Sequence, residues 1–261
     1  MFGIPRMLDL SALDRHERTA LSFSGGKDST ACLYLLRDHL ERIKVYHCDT
    51  GDLLPEMREH VARIEARVPH FIRVQTNVRQ WIDDHGLPSD LVPHSQHLLG
   101  RLMGEASTVL VHRYQCCWEN LSSPLFERMR ADGITLVIRG TKRCDMNRLP
   151  TASGEVKEGI ELLLPIQEWS HADVFAYLAS QGVELPRIYH HVTNSPECSR
   201  CSAWWGERRA SYLKEHYPEI YSDYRERMQA VLKELHRPMA TLADEVAALG
   251  GARALLEMTD G

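Results

Sequence analysis

The sequence predicts an α/β fold: a doubly wound, mainly parallel sheet followed by a helical C-terminal region. Three observations predict it. From residue 20 onward, short apolar and β-branched runs alternate with helix-length runs. The first strand-like run, Ala20-Leu-Ser-Phe23, ends in a glycine pair that opens a helix. Ile134-Thr-Leu-Val-Ile138 is a continuous apolar run of the kind needed by a strand buried on both faces.

The elements follow in order. Residues 8–18 place Leu8, Leu10 and Leu13 on one side and charges on the other, which predicts a short helix. Strand 20–23 leads through Ser24-Gly-Gly-Lys-Asp-Ser29 into a helix over 30–37. Residues 42–48 form a second strand closed by Asp49-Thr50-Gly51, and Pro55 stands in the first turn of a helix reaching Val68. Phe71–Thr76 is a third strand. Residues 82–110, interrupted by Gly86, Pro88, Pro93 and Gly100, predict loops with a short helix near 97–103. Leu121–Arg130 is helical, Ile134–Ile138 is the central strand, and 144–158 is a polar loop. Ile160–Leu164 is another strand. Ser170 caps a helix through Ala179, with Gly182 just past its end. Composition changes after Pro186. The expected division is therefore a nucleotide-binding domain, 1–186, and a Cys-x-x-Cys turn with a helical region, 187–261, packed on it. That region has helices near 206–216, 218–236 and 238–256.

Composition sets outer limits. With 43% hydrophobic and 26% charged residues the chain matches a globular protein. No apolar run approaches the ~20 residues of a membrane span. The first residues lack the apolar core of a secretory signal, so the cytoplasm is the expected compartment. A net charge of −5 gives no global basic field for nucleic acid, although Arg200, Arg208, Arg209 and Lys214 could line a local basic strip. Oligomeric state is not legible. Seven cysteines in such a chain argue for metal or redox chemistry rather than structural disulfides.

The residues with chemistry gather at strand ends. In open α/β sheets ligands bind beyond the carboxyl ends of the strands. That rule collects Ser24–Ser29, Asp49–Gly51 and Gly140–Arg143 on one rim. Gly25 and Gly26 let the backbone approach an anion, the first helical N–H groups face it, and Lys27 adds a mobile cation. Asp49 ends the second strand, where an acidic residue accepts ribose hydroxyls, with Thr50 and Gly51 beside it. Gly140-Thr-Lys-Arg143 brings two cations past the central strand, Arg143 being suited to bidentate phosphate or sulfate contact. Cys144 follows directly, and a neighbouring cation favours its thiolate. Cys32 reads as packed; Cys48 lies at a strand end without further support. Cys116-Cys117 and Cys198-Ser-Arg-Cys201 are four thiols in two pairs, open to an iron–sulfur cluster, a zinc ion, a redox pair at 198–201, or plain burial. Trp118, Trp204 and Trp205 flank them as a shield or as core.

Ser24-Gly-Gly-Lys-Asp-Ser29 differs from the common G-x-x-x-x-G-K-[ST] loop and resembles that of the ATP-pyrophosphatase group, which includes adenylylsulfate reductases, the small subunit of ATP sulfurylase and thiolating enzymes. In motif order, residues 18–205 resemble the phosphoadenosine phosphosulfate (PAPS)/adenylylsulfate reductase family within the adenine nucleotide alpha hydrolase-like superfamily. Asp49–Gly51, the glycine-plus-arginine element Gly140/Arg143 and the Pro165-to-Trp169 stretch before a helix match its pattern. The Cys-Cys and Cys-x-x-Cys pairs resemble those of the iron–sulfur members, which implies a [4Fe–4S] cluster on Cys116, Cys117, Cys198 and Cys201. The resemblance implies binding of ATP or adenylylsulfate at Ser24, Gly25, Gly26, Lys27, Asp28, Ser29, Asp49, Thr50, Gly51, Gly140 and Arg143, with a magnesium ion. It breaks at the catalytic thiol. Reductases of this kind carry a nucleophilic cysteine in a Glu-Cys-Gly-Leu-His tail, and here no cysteine follows Cys201.

Three readings result. The loop type puts first an ATP-dependent adenylation with sulfur transfer, for which thiolating relatives act on tRNA or DNA backbones. The second is reduction of adenylylsulfate or its 3′-phosphorylated form by a non-standard or partner thiol. In both, Lys27, Asp28, Arg143 and Cys144 are the expected catalytic residues, and a protein donating sulfur or electrons is the expected partner. The third is a non-catalytic nucleotide-binding iron–sulfur subunit.

Overall fold

The computed structural model describes residues 10–145, 152–194 and 197–248. The outer ends of the first and last predicted helices, and 146–151 of the predicted loop, lie outside them. The chain divides into two compact units. The first draws on 1–78, 118–199 and 207–209, and the second on 79–117, 200–206 and 210–261.

The first unit is built on β1 (Thr19–Ser22), α2 (Lys27–Leu35), β2 (Ile43–Asp49), α3 (Pro55–Glu65), β3 (Phe71–Gln75), α7 (Ser123–Ala131), β6 (Leu136–Ile138), β7 (Val156–Lys157), β8 (Ile160–Leu163) and α8 (His171–Ser180), with a short α1 (Ser11–Arg15) before β1. The sheet order is β3-β2-β1-β6-β8-β7, and every pairing is parallel except β7 with β8. This is the expected doubly wound, mainly parallel sheet. Its order reverses between β1 and β6, which places a topological switch point beside the glycine loop.

Alternation explains the uniformly apolar strands. Successive side chains point to opposite faces. Leu21, Val45, Leu136, Ile138 and Leu163 enter one core with Leu33 of α2, Val61 of α3 and Val174 of α8. Ala20, Tyr46 and Val137 enter the other, against Met129 of α7. Strands covered on both faces need no polar positions. Trp169, 9% exposed, packs in the first core with its ring edge against Tyr177, so the Pro165-to-Trp169 stretch is packing, as expected. The Ser170 cap is present as a full capping box. Its Oγ accepts from the Asp173 N–H, and the Asp173 carboxylate accepts from the Ser170 N–H at 2.8 Å.

The second unit contains most of α4 (Val78–His85), β4 (Leu87–Ser89), α5 (Leu98–Leu102), β5 (Leu110–His112), α6 (Arg113–Cys117), most of α9 (Arg209–His216) and α10 (Pro218–Ala248). The short helix expected near 97–103 is α5, but β4 and β5 pair in parallel, so the stretch otherwise read as loops also holds a small sheet and the end of α4. The cause is tertiary. Leu87, Val92 and Leu110 bury against Val231 and Leu235 of α10, and the Glu234 carboxylate accepts from the backbone N–H groups of Ser107 and Thr108 at 3.1 and 2.8 Å. The two helices expected over 218–256 are one over the described residues, to Ala248. α10 runs through Pro238 without a break, although the proline removes a helix hydrogen bond at a cost of about 3 kcal/mol, and its buried residues, Tyr224, Val231, Glu234 and Leu235, all precede it. The polar loop expected over 144–158 contains β7, an edge strand on β8.

Candidate functional site

The helix after the glycine pair begins at Lys27, three residues earlier than its apolar run suggests. Lys27, Asp28 and Ser29 are therefore its first turn, and Gly26 is its N-cap. Gly25 has φ +84, and a Cβ there would stand 2.6 Å from Val61 Cγ2. The corner is stitched by its own hydroxyls. Ser24 Oγ accepts from the Gly26 N–H at 3.2 Å and lies 3.1 Å from Ser29 Oγ, while Thr30 Oγ1 donates to Gly26 O at 2.8 Å. An α-helix leaves its first N–H groups without intrahelical partners, and its dipole favours an anion there.

Gly140 closes the switch point. A Cβ on it would lie 2.7 Å from the Asp28 carbonyl carbon and 3.0 Å from the Ser29 nitrogen. The element after β6 thus abuts the first turn of α2, and two of the three predicted rim elements meet directly.

A chain of charges runs across this junction. Lys27 Nζ donates to Asp28 Oδ2 at 2.7 Å and to Asn194 Oδ1 at 2.9 Å. Lys142 Nζ lies 2.6 Å from Asp28 Oδ1 and donates to Asp145 Oδ2 at 2.9 Å. Both ammonium groups are almost wholly buried, at 1% and 0% exposure. Burial lowers the Lys27 pKa, only partly offset by Asp28. Burial also pulls on Lys142, but its contacts with Asp28 and Asp145 outweigh it and leave that pKa raised. Asp28 holds the two cations side by side, a like-charge pair suited to a polyanion.

The inner cation is Lys142. Arg143, expected to grip the anion, is exposed and pairs with Glu168 Oε1 at 2.7 Å. Cys144 is exposed too, its thiol donating to Trp169 O at 3.3 Å. His171, at the start of α8, has its pKa lowered by burial first and then by Lys27 and Lys142.

Several groups come from far along the chain. Tyr189 Oη accepts from the Lys27 N–H at 3.0 Å, so a phenol already occupies one of the amides expected to meet an oxyanion. Tyr189 also stacks edge-on with Phe175, whose ring lies 5.9 Å from Lys27 Nζ. Asn194 is fixed by its own N–H, which donates to the Glu207 carboxylate. No local pattern marks Tyr189, Asn194, Asp145 or His171, and sequence reasoning missed them.

The Asp49–Gly51 element ends β2 as predicted, with its groups already engaged. Asp49 Oδ1 accepts from the Gly51 N–H at 2.9 Å, and Oδ2 pairs with Arg73 at 2.8 Å. Thr50 is buried, and Cys198 Sγ lies 3.6 Å from its Oγ1. Buried Asp52 anchors the next residue: its Oδ1 accepts from Ser199 Oγ at 3.1 Å, and its carbonyl accepts from the Ser199 N–H. Arg209, 2% exposed, donates to Ser199 O at 2.6 Å. The expected basic strip is corrected accordingly. Arg209 is buried as a backbone clamp, and Arg200 is spent on Asp223 at 2.6 Å.

Cys198 belongs to the first unit, and Cys116, Cys117 and Cys201 to the second. All seven cysteines are described and none forms a disulfide. Trp118 and Trp205 are exposed, so neither is core. Cys32 is buried with its thiol pKa raised by that burial, and Cys48, pushed up to about 11 chiefly by burial, donates to Asn120 O; both are packed thiols. No described helix is long and apolar enough to cross a membrane.

Comparison with known proteins adds the following. The family model described as phosphoadenosine phosphosulfate reductase domain matches residues 18–204. The adenosine 5′-phosphosulfate reductase of Neisseria meningitidis serogroup A is 27% identical over 182 residues, covering 65% of this chain and 70% of that protein. The phosphoadenosine 5′-phosphosulfate reductase of Photorhabdus laumondii is 23% identical over 196 residues, covering 70% and 74%. Among solved structures, the phosphate complex of phosphoadenylyl-sulfate reductase from Candida auris matches with a TM-score of 0.49 at 14% identity, over 69% of this chain and 80% of that one.

Proposed function

The chain belongs to the phosphoadenosine phosphosulfate reductase domain family, and from that premise we propose that it is a sulfonucleotide reductase whose nucleophile is Cys144. The observation that carries the reading is the Lys27–Asp28–Lys142 chain at the β1/β6 switch point, with an exposed thiol two residues beyond Lys142. The curated relatives, both named as reductases, favour reduction over the ATP-dependent sulfur transfer that the loop alone put first.

Adenylylsulfate, or its 3′-phosphorylated form, binds with its phosphosulfate oxygens against the first N–H groups of α2 and the two ammonium groups. Binding lets the substrate's oxygen replace the Tyr189 phenol on the Lys27 N–H. The Cys144 thiolate attacks the sulfate sulfur. An S–S bond forms, the bond from sulfur to the phosphate oxygen breaks, and AMP, or adenosine 3′,5′-bisphosphate from the 3′-phosphorylated form, leaves with the electron pair. A thiol of a donor protein then attacks Cys144 Sγ, releases sulfite and forms a mixed disulfide, which a second donor thiol resolves. Two thiols supply the two electrons that take sulfate to sulfite.

The four remaining thiols suit an iron–sulfur cluster, because a set of thiolates is what such a cluster takes and no disulfide removes them. We assign Cys116, Cys117, Cys198 and Cys201 as its ligands on the sequence pattern; bound there, it would supply a redox-capable centre. Anaerobic protein tests this by its visible charge-transfer absorbance, and a colourless zinc-containing product would refute it.

The test of function is anaerobic incubation with adenylylsulfate and a dithiol donor. Equal amounts of AMP and sulfite are expected, and Cys144→Ser should abolish both. Sulfite release undiminished in that variant would remove Cys144. Pyrophosphate release from ATP, with no sulfite from either sulfonucleotide, would overturn reduction in favour of adenylation.

A further inference from the structure

The turn Arg143–Asp145 and the first residue of α8 bring together three ligand-type groups beside the nucleotide corner. One donor atom each from Cys144, Asp145 and His171 lies within 4.8 Å of the others. His171 Nε2 stands 3.7 Å from Asp145 Oδ1, too far for a hydrogen bond. Around a tetrahedral zinc with bonds of 2.0–2.1 Å to N and O and 2.3 Å to S, neighbouring donor atoms are about 3.4–3.6 Å apart. Side-chain shifts of about 1 Å would therefore bring all three onto one ion.

The surroundings are consistent with that use. Asp145 Oδ2 is held by Lys142 through both its N–H (3.1 Å) and its Nζ (2.9 Å), which orients the carboxylate and leaves Oδ1 toward the imidazole. Such outer contacts are what fix metal-ligating carboxylates. His171 Nδ1 is buried and has no hydrogen-bond partner. A buried polar atom left unpaired is costly, so Nδ1 is short of a partner, while Nε2 has only the long approach to Asp145.

We propose that Cys144, Asp145 and His171 form a three-ligand site for a thiophilic divalent cation, zinc by preference, with its fourth position open. A thiolate with an imidazole selects zinc over magnesium, calcium or manganese, and three protein ligands are the number found in open zinc sites. The binding stands independently of the catalytic reading. Its consequence rests on that reading: zinc on Cys144 ties up the nucleophile, so metal and sulfonucleotide turnover exclude each other.

The experiment is zinc loading of the full-length protein, dialysis, and metal analysis per chain, run on wild type, Cys144→Ser, His171→Gln and Cys116→Ser. The His171→Gln change keeps bulk at the start of α8, and circular dichroism checks each fold. Cys144→Ser and His171→Gln should each hold about one zinc fewer than wild type, as the single-site proposal requires, whereas Cys116→Ser keeps that zinc. Cobalt-loaded wild type should show a thiolate charge-transfer band that Cys144→Ser and His171→Gln lose to the same extent, since each variant loses the ion. Equal zinc in wild type, Cys144→Ser and His171→Gln would overturn the site. Zinc that loads as expected while sulfite release continues unchanged would support the site and remove Cys144 as nucleophile.

Discussion

Replacing Gly140 with alanine tests whether the two loops at the switch point meet as described. The added Cβ would stand 2.7 Å from the Asp28 carbonyl carbon, 2.8 Å from its oxygen and 3.0 Å from the Ser29 nitrogen. Carbon atoms in good contact sit about 3.5–4.0 Å apart, so relief requires roughly 1 Å of movement. The obstructing atoms are backbone in the first turn of α2, which cannot swing aside as a side chain can. Overpacking of this kind costs about 1–3 kcal/mol. The same displacement moves the amides and Lys27, so adenylylsulfate binding should weaken about tenfold, equivalent to about 1.4 kcal/mol. Gly26→Ala is the internal comparison. Its Cβ would meet only Tyr189 Oη at 3.2 Å and Ser24 Oγ at 3.3 Å, both side-chain atoms able to yield. Urea unfolding and calorimetric titration should rank Gly140→Ala as the more damaging on both counts. A Gly140→Ala protein within 0.5 kcal/mol of wild type, on the scale of a neutral surface change, and with unaltered affinity would refute the contact.

Other consequences follow from the same junction. Lys142→Met leaves the Asp28 and Asp145 carboxylates without their shared cation and should destabilise the protein by about 3 kcal/mol in urea unfolding. Tyr189→Phe removes the phenol from the Lys27 N–H, and since the exchange is worth about 1 kcal/mol, adenylylsulfate should bind about fivefold more tightly. His60, buried against Thr30 Oγ1, has its pKa lowered to about 4, chiefly by that burial. Its unfolded value near 6.5 means the unfolded chain takes up the proton first, so stability is complete above pH 6.5 and falls toward pH 4. Over that interval (6.5 − 4) the loss is about 3 kcal/mol at 1.36 kcal/mol per unit, and His60→Gln should flatten this part of the profile.

Much of the nucleotide corner was legible because its signals are local. A strand, a glycine pair and a helix start occupy residues 19–35 without interruption, and Gly140 stands two residues past an apolar strand. Strand alternation was hidden for the same reason that it was unnecessary, since both faces of β1 and β6 are buried. What escaped depends on distant partners. Tyr189 and Asn194 reach Lys27 across 162 and 167 residues, and a phenol or amide in a turn carries no mark of its target. Arg209 looks basic and solvent-directed in sequence, yet it is consumed by the carbonyls of Cys198 and Ser199. The β4–β5 pair falls in a stretch broken by glycine and proline, where the ordering force is apolar contact with α10 more than 100 residues later. At Pro238 a local rule predicted a break, yet α10 continues through it to Ala248.

The most direct measurement is backbone amide NMR on titration with adenylylsulfate. Oxyanions seated at the β1–α2 corner should shift the resonances of Gly25, Gly26, Lys27, Asp28 and Ser29 and slow their hydrogen exchange, in step with saturation. Saturable binding that leaves all five amides unchanged would contradict the account.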